Sequence, residues 1–568
     1  MIKGDNGETR AAPSIVSGIP LSAEPGLGAL TLPGFLREVT SRFAEREALV
    51  MHTPEGVERW TYAALWDRSV EVAKALIACG AGKDSRVGIM MTNRLEWIAG
   101  VFGTALAGGV AVTISTFSTA PELDYMLRSS GVSVLLFEGR VLNKRFDEML
   151  CDLEPAIRGA RPGQLESTRF PFVRHLVAVG ADRAGAIERW SDFLVRGKSI
   201  PDALALARAA TVQPSDAGVL FFSSGSTSQP KGILSCHRAV AIQLWRYARI
   251  LDLEGEIRCW TANGLFWSGN FVMAIGGTFP SGGAIVLQPT FQAAEALKLM
   301  QAERVSYPTA WPHQWPQLEE APGWSTTDLK SVRYVDRATP LARHPTVSTS
   351  WREPTAYGST ETFAISTAFP AGTPEEVAGG SHGEVLPGNT VKIVDPLTGA
   401  VLPRGQRGEI AVKGPTLMLG YVGVPIDETL DAEGFFRTGD GGHLDEVGRL
   451  FWEGRLTDII KTGGANVSPL EVDAVLATFP GVKVARTVGV PHETLGEMVV
   501  ACVVPSEGSV LDETSIRNYL KERLASYKVP RRVLYFGDDE LSLTGSAKIK
   551  ASDLRQLASE RLSVVERA

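Results

Sequence analysis

The stretch FFSSGSTSQPKG at residues 221–232 is the most informative part of the sequence. An apolar run, Ala217–Phe222, precedes it and predicts a strand, and a shorter apolar run follows it. Between the two runs lie hydroxyl side chains, glycine and Lys231, which offer many hydrogen-bond donors and one positive charge. The stretch therefore predicts a loop that binds polyphosphate, although a solvated loop rich in serine and glycine has the same composition.

This loop does not follow the Walker A pattern, which places glycine immediately before the lysine and serine or threonine after it. Here Pro230 precedes Lys231, and Gly232 follows it. A P-loop of the kinase or GTPase type is therefore excluded at this site.

Short apolar runs alternate with helical stretches on both sides of the loop, through residues 60–400. This alternation predicts an α/β fold with a large N-terminal body of mixed and parallel sheets flanked by helices. After about residue 380 the strands shorten, which predicts a small barrel-like β subdomain, and a small mobile α+β domain follows. The expected boundaries are a flexible tail at 1–25, a body at 26–454, a hinge at 455–458 and a lid at 459–568.

Composition narrows the class of protein. The 568 residues include 57 basic and 64 acidic ones, for a net charge of −7, and 44% are hydrophobic. These values exclude a disordered chain, and the lack of a basic excess argues against a nucleic-acid partner. The five cysteines are scattered, and the eight histidines form no pair at metal-ligand spacing. Neither a disulfide framework nor a zinc site is predicted.

One uncharged run, residues 97–114, just reaches the length of a membrane span. Its glycines, above all Gly108 and Gly109, predict a break, so we expect a buried helix–turn–strand and no membrane span. A membrane contact is the alternative. The first residues, 1–10, lack an apolar signal-peptide core, and together with the cysteine usage this predicts a cytoplasmic protein.

The loop at 221–232 resembles the phosphate-binding signature of the adenylate-forming superfamily, which includes acyl-CoA synthetases, peptide-synthetase adenylation domains and luciferases. The family pattern is roughly S-[SG]-G-[ST]-T-G-x-P-K-G, and Ser228 is the one departure. The resemblance implies that ATP is bound by Ser223, Ser224, Gly225, Ser226, Thr227 and Lys231.

A second match is YGSTE at residues 357–361, which resembles the family's Y-G-x-T-E. In the family the aromatic residue stacks near adenine, the threonine contacts phosphate and the glutamate holds Mg²⁺. The resemblance implies these roles for Tyr357, Thr360 and Glu361, with Gly358 and Ser359 in the same nucleotide segment. A surface carboxylate is the alternative for Glu361, but a carboxylate beside phosphates needs a hard cation as a bridge.

Three further matches lie toward the C-terminal end. GFFRTGD at 434–440 resembles the ribose segment, in which Asp440 would accept hydrogen bonds from both hydroxyls. The segment that begins at Arg455 resembles the hinge, with Arg455 reaching the nucleotide and either Thr457 or Asp458 as the pivot. LTGSAKI at 543–549 ends the series and resembles the family's T-x-x-G-K-[IVL], with Lys548 on the catalytic position and Ala547 in place of the usual glycine. Alone, this lysine would be a surface charge.

The resemblance covers about residues 35–555 and implies a two-step reaction that uses ATP, Mg²⁺ and CoA. A carboxylate attacks the α-phosphorus of ATP to give acyl-AMP and pyrophosphate, and a thiol then expels AMP. Lys548, Thr360 and Glu361 are the expected catalytic residues, because the first step brings two anions together. Closure of the lid would assemble the site.

Departures from the family pattern cluster where the acyl group would lie. Asp336, Arg337 and Ala338 replace the usual glycine-rich segment and are assigned to the nucleotide site. Trp267 replaces a frequent histidine, and Trp311 follows in a stretch similar to one that lines acyl pockets. A core tryptophan is the alternative for Trp267. Peptide-synthetase adenylation domains place an aspartate shortly after this position to hold the α-amine, and residues 268–276 contain no carboxylate. The resemblance therefore implies a hydrophobic acid, fatty, alicyclic or aryl, rather than an amino acid.

The thiol acceptor is expected to be CoA. Lys461, Gly463 and Gly464 lie in a segment similar to the one that CoA ligases lay against pantetheine, and Tyr527 and Arg531 suit the CoA phosphates. A basic surface cluster is the alternative for the last two. An acyl-AMP ligase that loads a separate carrier protein and a catalytically silent acyl- or nucleotide-binding protein are the other hypotheses. The sequence leaves the oligomeric state open, with a homodimer as one option.

Overall fold

The computed structural model describes the chain except for residues 1, 4–8, 11, 182–183, 224–229, 313, 457–459, 463–464, 468, 525, 538–539, 541–550 and 566–568. The chain forms two compact units. The larger unit comprises Ser17–Thr390 and Val412–Phe436. The smaller unit comprises Met1–Val16, Val391–Ala411 and Arg437–Ala568.

An eight-stranded sheet is the centre of the larger unit. In spatial order its strands are Ile187–Arg189, His175–Val179, Val132–Glu138, Arg86–Met90, Val110–Thr113, Ala217–Ser223, Lys231–Cys236 and Gly420–Tyr421. The first six strands are parallel, and each of the last two is antiparallel to the strand before it. Alternate residues pack into two different apolar clusters, one on each face, as Leu136 and Leu135 do. Burial on both faces is typical of parallel strands covered by helices.

Two smaller sheets complete the larger unit. The five-stranded sheet contains Tyr307–Thr309, Arg258–Thr261, Ala284–Leu287, Glu47–Thr53 and Gly56–Thr61, and the three-stranded sheet contains Thr355–Tyr357, Thr367–Phe369 and Glu384–Val385. The strand pair Arg140–Val141 and Lys144–Arg145 lies apart from these sheets. The strands of the five-stranded sheet are parallel except for its last pair, and those of the three-stranded sheet are antiparallel.

Helices surround these sheets. The α-helices of the larger unit are Leu32–Arg42, Tyr62–Ala78, Leu95–Leu106, Ala120–Ser130, Phe146–Leu153, Ala156–Gly159, Trp190–Gly197, Asp202–Thr211, His237–Ile250, Ser268–Phe271, Ala293–Ala302, Gln314–Glu319, Glu375–Ala378 and Ile426–Thr429. A π-helical turn, Val272–Gly276, continues one of them. Short 3₁₀ turns occur at Leu21–Ala23, Phe279–Ser281, Trp324–Thr326, Pro340–Arg343 and Thr360–Thr362.

The uncharged run at 97–114 is folded as expected. It forms most of the helix Leu95–Leu106, a turn at Gly108 with φ +84°, and the strand Val110–Thr113. The positive φ explains the glycine at this turn, because other residues rarely adopt it. Among the described residues, no helix has both the length and the apolar character that crossing a membrane requires.

The smaller unit contains two sheets. One has the strands Leu450–Arg455, Phe436–Leu444, Gly408–Lys413, Thr390–Val394 and Ile15–Ser17, and the other has Ala465–Val467, Ile460–Thr462, Gly496–Pro505, Val482–His492 and Arg532–Tyr535. Its helices are Pro469–Leu476, Glu513–Lys521 and Ala551–Val565, with a 3₁₀ turn at Ser526–Lys528. A short strand pair, Ile2–Lys3 with Thr9–Arg10, completes the described elements.

The predicted α/β fold, with a large body and a small α+β part, is confirmed. One expectation is corrected, since the sequence places residues 15–24 in a flexible tail and they are folded. Ile15–Ser17 forms a strand of the five-stranded sheet in the smaller unit, as its β-branched residues favour. In the larger unit Glu24 is buried and both of its carboxylate oxygens accept hydrogen bonds from the buried Arg246. The hinge and lid boundaries stay predictions.

Candidate active site

The predicted phosphate loop connects two antiparallel strands. Ala217–Ser223 enters it and Lys231–Cys236 leaves it, with Ser223 directly opposite Lys231 in the strand register. The ends of the loop are therefore held side by side by sheet hydrogen bonds. Four predicted ATP-binding residues lie outside the described part of the chain, namely Ser224, Gly225, Ser226 and Thr227.

The segment Tyr357–Glu361 forms a tight turn at the end of the strand Thr355–Tyr357. Gly358 is required there, because a Cβ atom at this position would lie 2.1 Å from the Ala364 carbonyl oxygen. The Ser359 N–H donates to Thr362 Oγ1 at 3.0 Å, which closes the 3₁₀ turn Thr360–Thr362. The backbone of the turn thus fixes where Thr360 and Glu361 point.

Strained backbone follows this turn. Phe363 and Ala364 have φ angles of +49° and +82°, in the left-handed region that residues with a Cβ atom seldom occupy. Phe363 is fully buried, and its ring packs edge-on against Phe221 at 5.8 Å and Phe271 at 6.3 Å. Such strain persists where surrounding packing over-determines it, and it is common at functional sites. The packing ties the turn to the strand that leads into the phosphate loop.

Glu361 is held in place by Tyr421. The Tyr421 hydroxyl donates to Glu361 Oε1 at 2.8 Å, and the Met418 N–H donates to the Glu361 carbonyl oxygen at 2.7 Å. The Lys231 ammonium lies 4.9 Å from the centroid of the Tyr421 ring, within range of a cation–π interaction. Tyr421 therefore connects the phosphate-loop lysine to the predicted metal-binding carboxylate. Sequence reasoning missed this residue, which no motif contains.

Thr360 contacts the segment that was predicted to line the acyl pocket. The Ser268 hydroxyl lies 3.2 Å from Thr360 Oγ1 and donates to it. Ser268 begins the helix Ser268–Phe271 immediately after Trp267, whose half-buried ring packs on Phe266 at 5.5 Å. Sequence reasoning also missed Ser268. We call Lys231, Ser268, Thr360, Glu361 and Tyr421 the Glu361 cluster.

Within the described part of the chain, Trp311, Asp336, Arg337 and Ala338 make no hydrogen bond or ring contact with the Glu361 cluster. Trp311 is 40% exposed and precedes the helix Gln314–Glu319. Among the described rings, no stacking contact joins it to Trp267. Asp336 shapes its own loop, because its Oδ1 accepts from the Ala338 N–H at 2.7 Å and its Oδ2 from the Glu353 N–H at 2.8 Å. The adjacent Arg337 is exposed, as is Ala338.

The smaller unit brings Asp440 and Arg455 together. They face each other on the antiparallel strands Phe436–Leu444 and Leu450–Arg455, and Arg455 Nε lies 3.0 Å from Asp440 Oδ1. Asp440 is 5% exposed and its N–H donates to Thr438 Oγ1 at 3.1 Å. The Thr438 hydroxyl thus holds the backbone of Asp440, and Arg455 is a charged partner of its buried carboxylate.

The residues predicted to bind CoA are only partly described. Arg531 is exposed, and its N–H donates to the Val499 carbonyl oxygen at 2.9 Å. For Lys461 and Tyr527 the structure describes the backbone alone, in a strand and a 3₁₀ turn. Gly463, Gly464 and the predicted catalytic Lys548 lie outside the described residues.

Comparisons with known proteins identify the family of the chain. The sequence profile of the AMP-binding enzymes matches residues 36–422, and that of the AMP-binding enzyme C-terminal domain matches residues 471–548.

Two curated relatives cover nearly the whole chain. A (methyl-dioxo-octahydro-indenyl)propanoyl:CoA ligase of Mycobacterium tuberculosis is 29% identical over 93% of this chain and 99% of its own length. An indoleacetate–CoA ligase of Aromatoleum aromaticum is 29% identical over 88% of this chain and 94% of its own.

A solved structure has the same fold. The crystal structure of ATP-bound MatB from Rhodopseudomonas palustris aligns with a TM-score of 0.76 at 24% identity, covering 93% of this chain and 99% of that one.

Proposed function

Because this chain belongs to the AMP-binding enzyme family, we propose that it is an ATP-dependent carboxylic acid–CoA ligase. Membership confirms the resemblance seen in the sequence motifs. In the first step an oxygen of the acid bonds to the α-phosphorus of ATP while the bond to pyrophosphate breaks. In the second step the CoA sulfur bonds to the acyl carbon while AMP leaves and the thiol proton passes to solvent.

The arrangement of the Glu361 cluster is the observation that carries the proposal. Lys231 supplies a positive charge and Ser268 and Thr360 supply hydroxyls, while Tyr421 holds Glu361 at 2.8 Å. Cationic and hydroxyl donors stabilise the charge that develops on a phosphoryl group under attack, and they do so best when already oriented. The buried packing of Phe363 and the Tyr421 hydrogen bond provide that orientation.

Mg²⁺ is the metal that we propose for this site, and Glu361 is its protein ligand. The donor chemistry fits, since Mg²⁺ is usually held by one or two carboxylates together with substrate phosphates. Glu361 Oε1 is engaged by Tyr421, while Oε2 accepts no hydrogen bond from the described part of the chain. When bound, Mg²⁺ would neutralise charge on the phosphates of ATP.

Residues of the smaller unit supply the remaining proposed roles. Asp440 accepts from the ribose hydroxyls, and Arg455, paired with it at 3.0 Å, holds the carboxylate in orientation. Lys548 is the proposed catalytic cation. Lys461, Gly463, Gly464, Tyr527 and Arg531 are the proposed CoA-binding residues.

The proposed acid is hydrophobic: fatty, alicyclic or aryl. The two curated relatives are named for an octahydro-indenyl propanoyl group and for indoleacetate. Phe266 and Trp267, whose rings pack 5.5 Å apart, immediately precede Ser268, the hydrogen-bond partner of Thr360, and offer apolar surface for such a substrate. The same names support CoA as the acceptor.

We propose a cytoplasmic location, because the number and spacing of the cysteines predict no disulfide framework. A homodimer is the proposed assembly, which light scattering on the purified chain tests.

The decisive experiment measures pyrophosphate release across a panel of fatty, alicyclic and aryl acids, with and without CoA, and identifies thioesters by mass. CoA-dependent thioester formation with at least one acid is the expected result, and the Lys548→Ala variant should form no adenylate. Accumulation of acyl-AMP without thioester would point to a separate carrier protein as acceptor. No turnover with any acid would contradict the proposed substrate class.

A further inference from the structure

A second polar cluster lies in the larger unit, outside the motif residues. Cys79 follows the helix Tyr62–Ala78, His175 begins its strand, and Glu188 lies in the edge strand Ile187–Arg189. One potential ligand atom from each side chain lies within 4.8 Å of the other two. We call these three residues the Cys79 cluster.

The strand register explains why two of these side chains meet. Glu188 is directly opposite Val177 on the neighbouring parallel strand, and His175 precedes Val177 by two residues. Residues two apart in a strand point to the same face, so His175, Val177 and Glu188 share one face of the sheet. Val177 belongs to the main apolar core, together with Phe193 of the covering helix. The Cys79 cluster is therefore a polar group within an apolar layer.

Two atoms of this cluster are buried without a hydrogen bond. Glu188 is 2% exposed, and its Oε2 accepts from Arg196 Nε at 2.7 Å. Its Oε1 and the Nδ1 atom of His175 are 3.5 Å apart, and neither makes a hydrogen bond to any described residue. An unsatisfied buried polar atom costs about 1–3 kcal/mol, and few native structures leave one without a water or an ion. One ligand atom of each of these two side chains lies within 4.8 Å of the Cys79 sulfur.

We propose that Cys79 Sγ, His175 Nδ1 and Glu188 Oε1 bind one divalent transition-metal ion, with Zn²⁺ as the best match. A tetrahedral Zn²⁺ ion with N and O ligands at about 2.0–2.1 Å separates them by about 3.3 Å, close to the observed 3.5 Å. Thiolate, imidazole and carboxylate together favour zinc over magnesium or calcium, which prefer oxygen ligands only.

The charges of the ligands also favour a divalent ion such as Zn²⁺. Binding releases the Cys79 thiol proton to solvent, after which one thiolate and one carboxylate balance the two positive charges of the metal. Arg196 holds the outer oxygen of Glu188, which leaves Oε1 oriented for a single metal bond. Three protein ligands leave a fourth position, and Cys79 is only half-buried, so a water molecule can reach the ion.

This site does not depend on the proposed function. Its residues lie on elements that carry none of the nucleotide motifs, and its expected effect is structural. A bound ion would join the end of the helix Tyr62–Ala78 to the edge strand Ile187–Arg189. The ion should raise the thermal stability of the chain without being needed for adenylate formation.

The test uses the full chain, purified without a metal-binding tag, stripped with a chelator and titrated with Co²⁺ and then Zn²⁺. We expect one equivalent of Co²⁺ to bind with a sulfur-to-cobalt charge-transfer band, and Zn²⁺ to displace it and raise the melting temperature. The Cys79→Ser variant should lose the band and bind Zn²⁺ at least about tenfold more weakly.

Cys151→Ser is the matched control, since Cys151 is a free cysteine outside the Cys79 cluster and its substitution should leave metal binding unchanged. Glu188→Gln provides a second variant if Cys79→Ser fails to fold, and it too should weaken Zn²⁺ binding while keeping the bond to Arg196. The proposal is overturned if the parent chain takes up no metal, because the cluster then holds water at most. It is equally overturned if Cys79→Ser and Glu188→Gln bind metal as the parent does.

Discussion

The eight-stranded sheet has a polar cluster near the carboxyl ends of its parallel strands and another near their amino ends. The two clusters differ in how far apart their residues lie in the sequence. At the end where Ser223 closes its strand lies the Glu361 cluster, built around two contiguous motifs. At the other end, where His175 begins its strand, lies the Cys79 cluster, whose members are far apart in the chain. Ligands of open α/β sheets bind at the carboxyl ends of the parallel strands. We therefore expect substitutions near the first end to affect chemistry and substitutions near the second to affect stability.

His237 belongs to the second end as well. It follows the strand Lys231–Cys236, at the end remote from Lys231, and it is buried. Its Nδ1 accepts a hydrogen bond from the Leu32 N–H at 3.3 Å, which requires the neutral ring. If the two ends have separate roles, substitutions at the first end should change turnover, and substitutions at the second should change stability alone.

The largest effect is expected for Glu361→Gln. The amide keeps the shape of the side chain but removes the charge that would hold Mg²⁺, so adenylate formation should fall about 10²–10³-fold. Single-turnover pyrophosphate release measures this, with the melting temperature as a check on folding. Glu376→Gln, at an exposed glutamate, is the control and should have parental rates. If Glu361→Gln formed adenylate at the parental rate, the proposed role of the Glu361 cluster in the reaction would be contradicted.

The next effect is a pH dependence of stability caused by His237. Burial lowers the pKa of His237 from 6.5 to about 4, against a weaker opposing effect of Asp216. The folded state therefore favours the neutral His237 ring. The contribution of the neutral ring to the free energy of unfolding is fully present above pH 6.5. It is lost as the pH falls from 6.5 toward 4, by about 3 kcal/mol in total.

Denaturant unfolding of the parent chain and of His237→Asn across this pH range tests the effect. The variant should lose stability less steeply between pH 6.5 and 4, while His492→Asn should follow the parent slope. Equal slopes for the parent and His237→Asn would show that another group causes the acid sensitivity.

A smaller effect is expected for Tyr421→Phe. The substitution removes the hydroxyl that donates to Glu361 and keeps the ring beneath Lys231. A hydrogen bond to a charged group contributes about 1.5–3 kcal/mol, so the adenylation rate should fall about tenfold or more. The concentration of Mg²⁺ needed for half-maximal rate should rise too, which a purely structural role would not produce. Tyr125→Phe is the control, and an unchanged Mg²⁺ dependence in Tyr421→Phe would contradict a positioning role.

Ser268→Ala should have the smallest effect. It removes the donor to Thr360 Oγ1, a hydrogen bond between two neutral groups at 3.2 Å. A contribution of about 0.5–1.5 kcal/mol corresponds to a loss of roughly two- to tenfold in the adenylation rate. Steady-state kinetics with Ser129→Ala as the control measures it. A larger loss than in Tyr421→Phe would reverse the order in which we rank the two contacts.

The contrast between the ends also shows what sequence reasoning can reach. Tyr357, Thr360 and Glu361 lie within five consecutive residues, so a short pattern reveals them. Their turn leaves no room for a Cβ atom at Gly358, as the glycine implies. Tyr421 and Ser268 are separated from their partners by 60 and 92 residues, and only strand pairing and helix placement bring them close.

The Cys79 cluster lies beyond sequence reasoning for the same reason. Its cysteine, histidine and glutamate have no metal-ligand spacing, so the count of cysteines and histidines predicts no zinc site. The parallel register of two strands and the end of one helix bring the three side chains together. Spacing rules recognise sites built on one turn or hairpin. A site assembled from three elements that are far apart in the sequence can be recognised only from the three-dimensional structure.

The measurement that tests the proposed function most directly is the identity of the nucleotide products. The chain is incubated with ATP, Mg²⁺, CoA and an accepted hydrophobic acid, and the products are quantified by chromatography and mass. The proposed function predicts AMP, pyrophosphate and acyl-CoA in equal amounts, with acyl-AMP appearing when CoA is left out. ADP and phosphate in their place, or thioester without AMP, would contradict it.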